Sequence, residues 1–129
     1  MLSTSETALV TKQFTSPHLA IGFEVCVPEL FTRTAQAVPD TTAVEFGDLL
    51  WTYENLHTRS ANLAHRLLLQ GIKRETPIGL IIDRVPSTIA AYMGVGLAGA
   101  SIVPIDPAFP SDRIRYMVDD CGIRLILTN

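Results

Sequence analysis

One glycine pattern in the chain could do phosphate chemistry. The run "GVGLAG", Gly94 to Gly99, spells G-x-G-x-x-G, the pattern of loops that bind the pyrophosphate of dinucleotides. Such a loop joins the end of a strand to the start of a helix, because its glycines bring the phosphate to backbone N–H groups at the positive helix terminus. The residues around the pattern therefore decide whether it can bind a nucleotide.

The surroundings of these glycines predict close packing instead. The apolar run "PIGLIID" has the length of a buried strand, and "RVPS", which follows it, contains no glycine. Gly94 and Gly96 fall inside the helix predicted from Pro86 to Ala98, and Gly99 is placed to cap its C-terminus. A helix C-terminus carries negative partial charge, which repels phosphate. We therefore interpret Gly94 and Gly96 as positions where this helix approaches the sheet, and we reject a dinucleotide site.

The remaining candidates for chemistry do not form a constellation. Neither a P-loop, G-x-x-x-x-G-K-[ST], nor a nucleophile elbow, G-x-S-x-G, occurs. His18, His57 and His65 do not combine with cysteines or carboxylates at metal-ligand spacing. Asp119 and Asp120 are adjacent in the last turn of a predicted helix, so their carboxylates face different directions. We expect no catalytic, cofactor-binding or metal-binding residue in this sequence.

Length, charge and cysteine content point to one small intracellular domain. The chain has 129 residues, of which 47% are hydrophobic, and a net charge of −3. This composition predicts a buried core and gives no reason to expect nucleic acid or an anionic membrane as a partner. Cys26 and Cys121 are far apart in sequence. One disulfide stays open as an alternative, but two buried free thiols in a reducing compartment are the expectation, which favours the cytoplasm.

One uncharged stretch is long enough to cross a bilayer. Residues Val85 to Ile105 carry no charge over this length. Their two prolines, three glycines and many alanines favour a buried helix followed by a buried strand over a membrane span. The N-terminus has no basic patch followed by an apolar core, so a secretory signal is not expected.

The first half of the chain predicts a leader, a helix and a hairpin. Residues 1–26 show no periodicity and are expected to form a weakly ordered leader, whereas residues 27–129 are expected to form one structured unit. A helix follows Pro28, and a hairpin turns at Gly47-Asp48. Trp51 and Tyr53 are expected to pack against the next helix, which Thr52 caps.

The second half of the chain indicates an α/β fold. Strand, helix, strand, helix and strand alternate, with Ser111 expected to cap the last helix. This alternation predicts a mostly parallel sheet with flanking helices.

Read together, the ordered segments resemble the opening of an adenylation domain of nonribosomal peptide synthetases, a branch of the adenylate-forming ligases. The family's first signature, approximately L-[TS]-Y-x-E-L, is matched by Thr52, Tyr53 and Leu56. Its second, approximately L-K-A-G-x-A-Y-V-P-L-D-P, and the continuation P-x-x-P-x-x-R are matched by Ala98, Gly99, Val103, Pro104, Asp106, Pro107, Pro110 and Arg113. The chain departs from these signatures at Trp51, Asn55, Gly96, Leu97 and Ile102.

The resemblance implies a fold and a reaction for the parent family. The matched signatures are structural and build the N-terminal α/β subdomain, here over residues 27–129, with a mostly parallel sheet and a short hairpin. The parent reaction joins a carboxylate to ATP, with Mg²⁺, to give an acyl-adenylate that is passed to a carrier-protein thiol. The family's glycine-rich phosphate loop, ribose-binding aspartate and catalytic lysine have no counterparts in this sequence. The resemblance therefore implies that the chain alone is catalytically inactive.

Two functional hypotheses follow from these observations. The first is that the chain is the N-terminal part of an adenylating ligase. The second is a non-catalytic accessory module that associates with the rest of a synthetase, or with itself, because a partial sheet leaves an edge and an apolar face uncovered. No residue of the sequence indicates which acid the parent would activate.

Overall fold

The computed structural model of the chain describes residues 25–128 together with Ser3, Ser5 and Glu6. Residues 25–128 form an α/β fold, as predicted. Its helices are α1 (Val27–Ala37), α2 (Tyr53–Leu69), α3 (Pro86–Leu97) and α4 (Ser111–Asp120), and its strands are β1 (Thr42–Phe46), β2 (Leu49–Thr52), β3 (Pro77–Ile81), β4 (Ser101–Pro104) and β5 (Leu125–Thr128). The predicted leader, residues 1–26, lies almost entirely outside the described residues.

Strands β1 and β2 form the predicted antiparallel hairpin. Gly47 in its turn has a φ of +58°, a left-handed conformation that glycine adopts without steric cost. Val44 lies opposite Trp51, and both side chains are buried. The guanidinium carbon of Arg59 lies 4.4 Å from the centroid of the Trp51 ring, so this ring packs against α2 as expected.

Helix α2 begins and ends where the sequence predicts. The side-chain oxygen of Thr52 accepts a hydrogen bond from the Asn55 N–H at 3.2 Å, which satisfies one of the free donors of the first turn. Gly71, just beyond the helix, has a φ of +81°. The buried face of α2 is a single helical stripe that consists of Leu56, Ser60, Ala64 and Leu67.

Strands β3, β4 and β5 form a parallel sheet in the order β4-β3-β5. Helix α3 connects β3 to β4, and α4 connects β4 to β5, which lies on the far side of β3. Connections of this type are right-handed in nearly all proteins. Because the two connections run in opposite directions along the sheet, α3 and α4 lie on opposite faces.

The main core lies between the sheet and helices α2 and α3. Ile78 and Leu80 of β3 point to this face, with Ile78 fully inaccessible to solvent. Leu67 from α2 and Val95 from α3 complete its centre. The hydrophobic core on the opposite face of the sheet is smaller, because α4 contributes no buried residue to it.

Two expectations about local structure are wrong. Ser111 does not cap α4: Pro110 occupies the N-cap position, and no described side chain makes a capping hydrogen bond there. Ser111 already has helical backbone geometry, so its hydroxyl is not held in the extended position from which a cap reaches the N–H groups. The thiols of Cys26 and Cys121 are free, as expected, but exposed rather than buried. They occupy the N-cap of α1 and the C-cap of α4, and both helix ends lie at the surface.

The uncharged stretch is divided between two elements, as the sequence predicts. Its helical part, α3, has 12 residues, and β4 follows after a short turn. Among the residues that the structure describes, no helix has both the length and the apolar character that a bilayer crossing requires.

Candidate functional site

A crevice opens where strands β3 and β4 end. It has a volume of about 530 Å³ and is lined by Leu80, Ile82, Asp83, Arg84, Thr88, Tyr92, Pro104, Ile105, Asp106, Pro107 and Phe109. The chain leaves β3 toward one face of the sheet and β4 toward the other. In open α/β sheets, ligands bind outside the carboxyl ends of two such strands, at the topological switch point. We call this site the carboxyl-end crevice.

The turn between β3 and α3 forms one wall of the crevice. The Thr88 hydroxyl donates a hydrogen bond to the main-chain carbonyl of Asp83. The Thr88 N–H donates to the carbonyl of Val85 at 2.9 Å. Pro86 occupies the first turn of α3, where a backbone N–H would have no hydrogen-bond partner within the helix, so the lack of one in proline costs nothing. These contacts fix the turn and hold Asp83 and Arg84 at the rim.

The loop after β4 forms the other wall. The Asp106 carboxylate accepts a hydrogen bond from the Ala108 N–H at 2.8 Å, and the Asp106 carbonyl accepts one from the Phe109 N–H at 3.0 Å. The guanidinium carbon of Arg113 lies 4.0 Å from the centroid of the Phe109 ring. The segment "DPAFP" is therefore a rigid turn, tied to the first residues of α4.

The crevice joins an apolar floor to a charged rim. Leu80 and Ile105 at its floor are buried, whereas Arg84 and Asp106 at its rim are exposed. The Thr88 hydroxyl is bonded to a carbonyl rather than to a general base. This arrangement suits binding of a molecule with an apolar body and polar ends, and the residues that line it include no paired nucleophile and base.

A Mg²⁺ site is not assembled by the described residues. Within residues 25–128 and the three described N-terminal residues, no three His, Cys, Asp or Glu side chains are grouped so as to hold a metal ion. His57 is half-buried, with its ring 5.7 Å from that of Phe31, while His65 is exposed on the same helix. His18 lies outside the described residues.

The glycine pattern serves packing, but against helices rather than the sheet. A Cβ on Gly94 would lie 2.9 Å from the main-chain oxygen of Ser60 and 2.9 Å from a methyl carbon of Leu63, both on α2. A Cβ on Gly96 would lie 2.8 Å from the ring of Pro28 on α1. Gly99 follows α3 with a φ of +72°, as a helix-ending glycine does. The expectation that Gly94 and Gly96 allow close packing is confirmed, but the expected contact with the sheet is wrong.

The remaining sequence candidates stay apart from the crevice. Asp119 and Asp120 are exposed at the end of α4, which is the opposite end of that helix from the Phe109 loop. Tyr53 begins α2 and lies near Phe31, with ring centroids 6.5 Å apart. The sequence does not predict the crevice, because the patterns of "RVPS" and "PAFP" indicate only loops that connect a strand to a helix. The signal that could have found it is that both loops follow neighbouring parallel strands.

Comparison with known proteins identifies the family of the chain. A sequence profile of the family described as AMP-binding enzyme matches residues 31–129. The chain therefore belongs to the AMP-binding enzyme family. A linear gramicidin synthase protein from Brevibacillus parabrevis is 37% identical over 128 residues, which are 99% of this chain and 2% of that protein. Bacitracin synthase 3 from Bacillus licheniformis is 40% identical over 100 residues, which are 78% of this chain and 2% of that protein.

Solved structures of nonribosomal peptide synthetase proteins share the fold of the chain. The nonribosomal peptide synthetase FmoA3 superposes with a TM-score of 0.79 and 28% identity, over 81% of this chain and 11% of FmoA3. The N-terminal subdomain of NpsA from Klebsiella oxytoca has the same fold, with a TM-score of 0.74, 24% identity and coverage of 79% of this chain. The chain spans 26% of that subdomain. The resemblance predicted from the sequence is confirmed.

Proposed function

We propose that this chain supplies the first structural part of an adenylation domain, and that the 129 residues alone do not catalyse adenylation. The domain as a whole would use ATP and Mg²⁺ to convert an amino acid or another carboxylic acid into an acyl-adenylate. The carboxyl-end crevice would be one wall of the space in which that domain works. Synthesis of this kind would take place in the cytoplasm, where exposed thiols such as those of Cys26 and Cys121 stay reduced.

The observation that carries this proposal is that the family match and the fold match each cover most of the chain. The AMP-binding profile matches residues 31–129, and the fold shared with FmoA3 extends over 81% of the chain. Adenylation needs cations and backbone donors arranged around the transferring phosphate. Gly94 and Gly96, whose pattern is typical of such donors, instead pack closely against Ser60, Leu63 and Pro28.

Amino-acid-dependent exchange of pyrophosphate into ATP tests the proposal. We expect no exchange above background with the purified chain. A chimaera in which residues 27–128 replace the matching segment of a bacitracin synthase adenylation domain should retain exchange and keep the amino-acid preference of its host. Exchange by the chain alone would refute its inactivity, and a folded chimaera without exchange would refute the scaffold role.

A second candidate, an accessory module, is favoured by the exposed hairpin. Phe46, Leu49 and Leu50 at its tip are 52%, 45% and 57% exposed, and Ile89, which lines a shallow pocket together with Phe46, is 41% exposed. Large apolar side chains grouped at the surface favour association with another protein surface. Mixing the purified chain with a separately expressed adenylation domain that lacks the matching segment distinguishes the two candidates. Restored exchange would favour the accessory module, whereas activity of the covalent chimaera only would favour the scaffold.

A further inference from the structure

We draw no further inference here: the strongest candidate, the apolar groove of about 780 Å³ between the start of α1, helix α3 and strand β4, is an unpartnered surface, and nothing in the structure shows what covers it.

Discussion

The single missing methyl group of Gly94 sets the distance between helices α2 and α3. A glycine inside a helix costs about 1 kcal/mol relative to alanine, so its presence there needs a compensating contact. The compensation is the close approach of the Ser60 main-chain oxygen, which lies 2.9 Å from where a Cβ would be. Since a backbone oxygen within a helix cannot rotate away, the space at Gly94 cannot be recovered by a change of rotamer.

The variant Gly94→Ala should therefore destabilise the chain despite its better helix propensity. Overpacking of a core costs about 1–3 kcal/mol, against a propensity gain of about 1 kcal/mol. We expect a lower free energy of unfolding in urea titrations followed by circular dichroism. Gly96→Ala is the matched control, because its Cβ would meet only the ring of Pro28, at the start of α1, which can shift. Equal or greater stability of Gly94→Ala would show that the two helices can separate at little cost.

For single residues, the sequence predicts the element in which a residue lies but not what its side chain contacts. The position of Gly94 within a helix is predictable, because glycine spacing and the neighbouring Pro86 are local signals. Its contact partner is not, because periodicity shows which residues share a face but not which element covers that face. The exposure of Cys26 and Cys121 escapes prediction for a related reason: cysteine is usually buried, but these two lie at helix ends, whose placement depends on the whole fold.

At the scale of elements, the two predicted caps provide a direct comparison. Thr52→Ala should lower the free energy of unfolding by about 1 kcal/mol, because it removes the acceptor of the Asn55 N–H. Ser111→Ala should change it by less than about 0.5 kcal/mol, since Ser111 makes no capping bond. Thermal and urea unfolding of both variants measure the difference. A large loss from Ser111→Ala would mean that its hydroxyl caps α4 after all.

Element types can be predicted well from this sequence, and their arrangement only in part. The hairpin, the four helices and the three parallel strands within residues 25–128 follow from turn residues, caps and apolar periodicity. The sheet order β4-β3-β5 does not follow from these signals, because it depends on which strands meet in space. The same local sequence could lead from β3 to a neighbouring strand on either of its two sides. The carboxyl-end crevice depends on that order, and for this reason it too was not predicted.

For the whole molecule, the two faces of the sheet predict unequal local stability. The face with α2 and α3 contains Ile78, Leu67 and Val95, whereas α4 on the other face has no fully buried residue. Amide hydrogen exchange should therefore be slowest in β3 and markedly faster in α4, which can open without disturbing the main core. Protection of α4 equal to that of α3 would contradict this picture.

Pro104 has a consequence for what can pair with the β4 side of the sheet. A strand with a full set of backbone donors and acceptors on its outer side can pair with the edge of another chain, as in edge-to-edge aggregates. Ser101 and Ile105 donate their N–H groups toward β3, so Pro104 faces outward, where it has no N–H to donate, and the start of α1 flanks the same strand. A substitution such as Pro104→Thr would restore the missing donor and make strand pairing at this side easier.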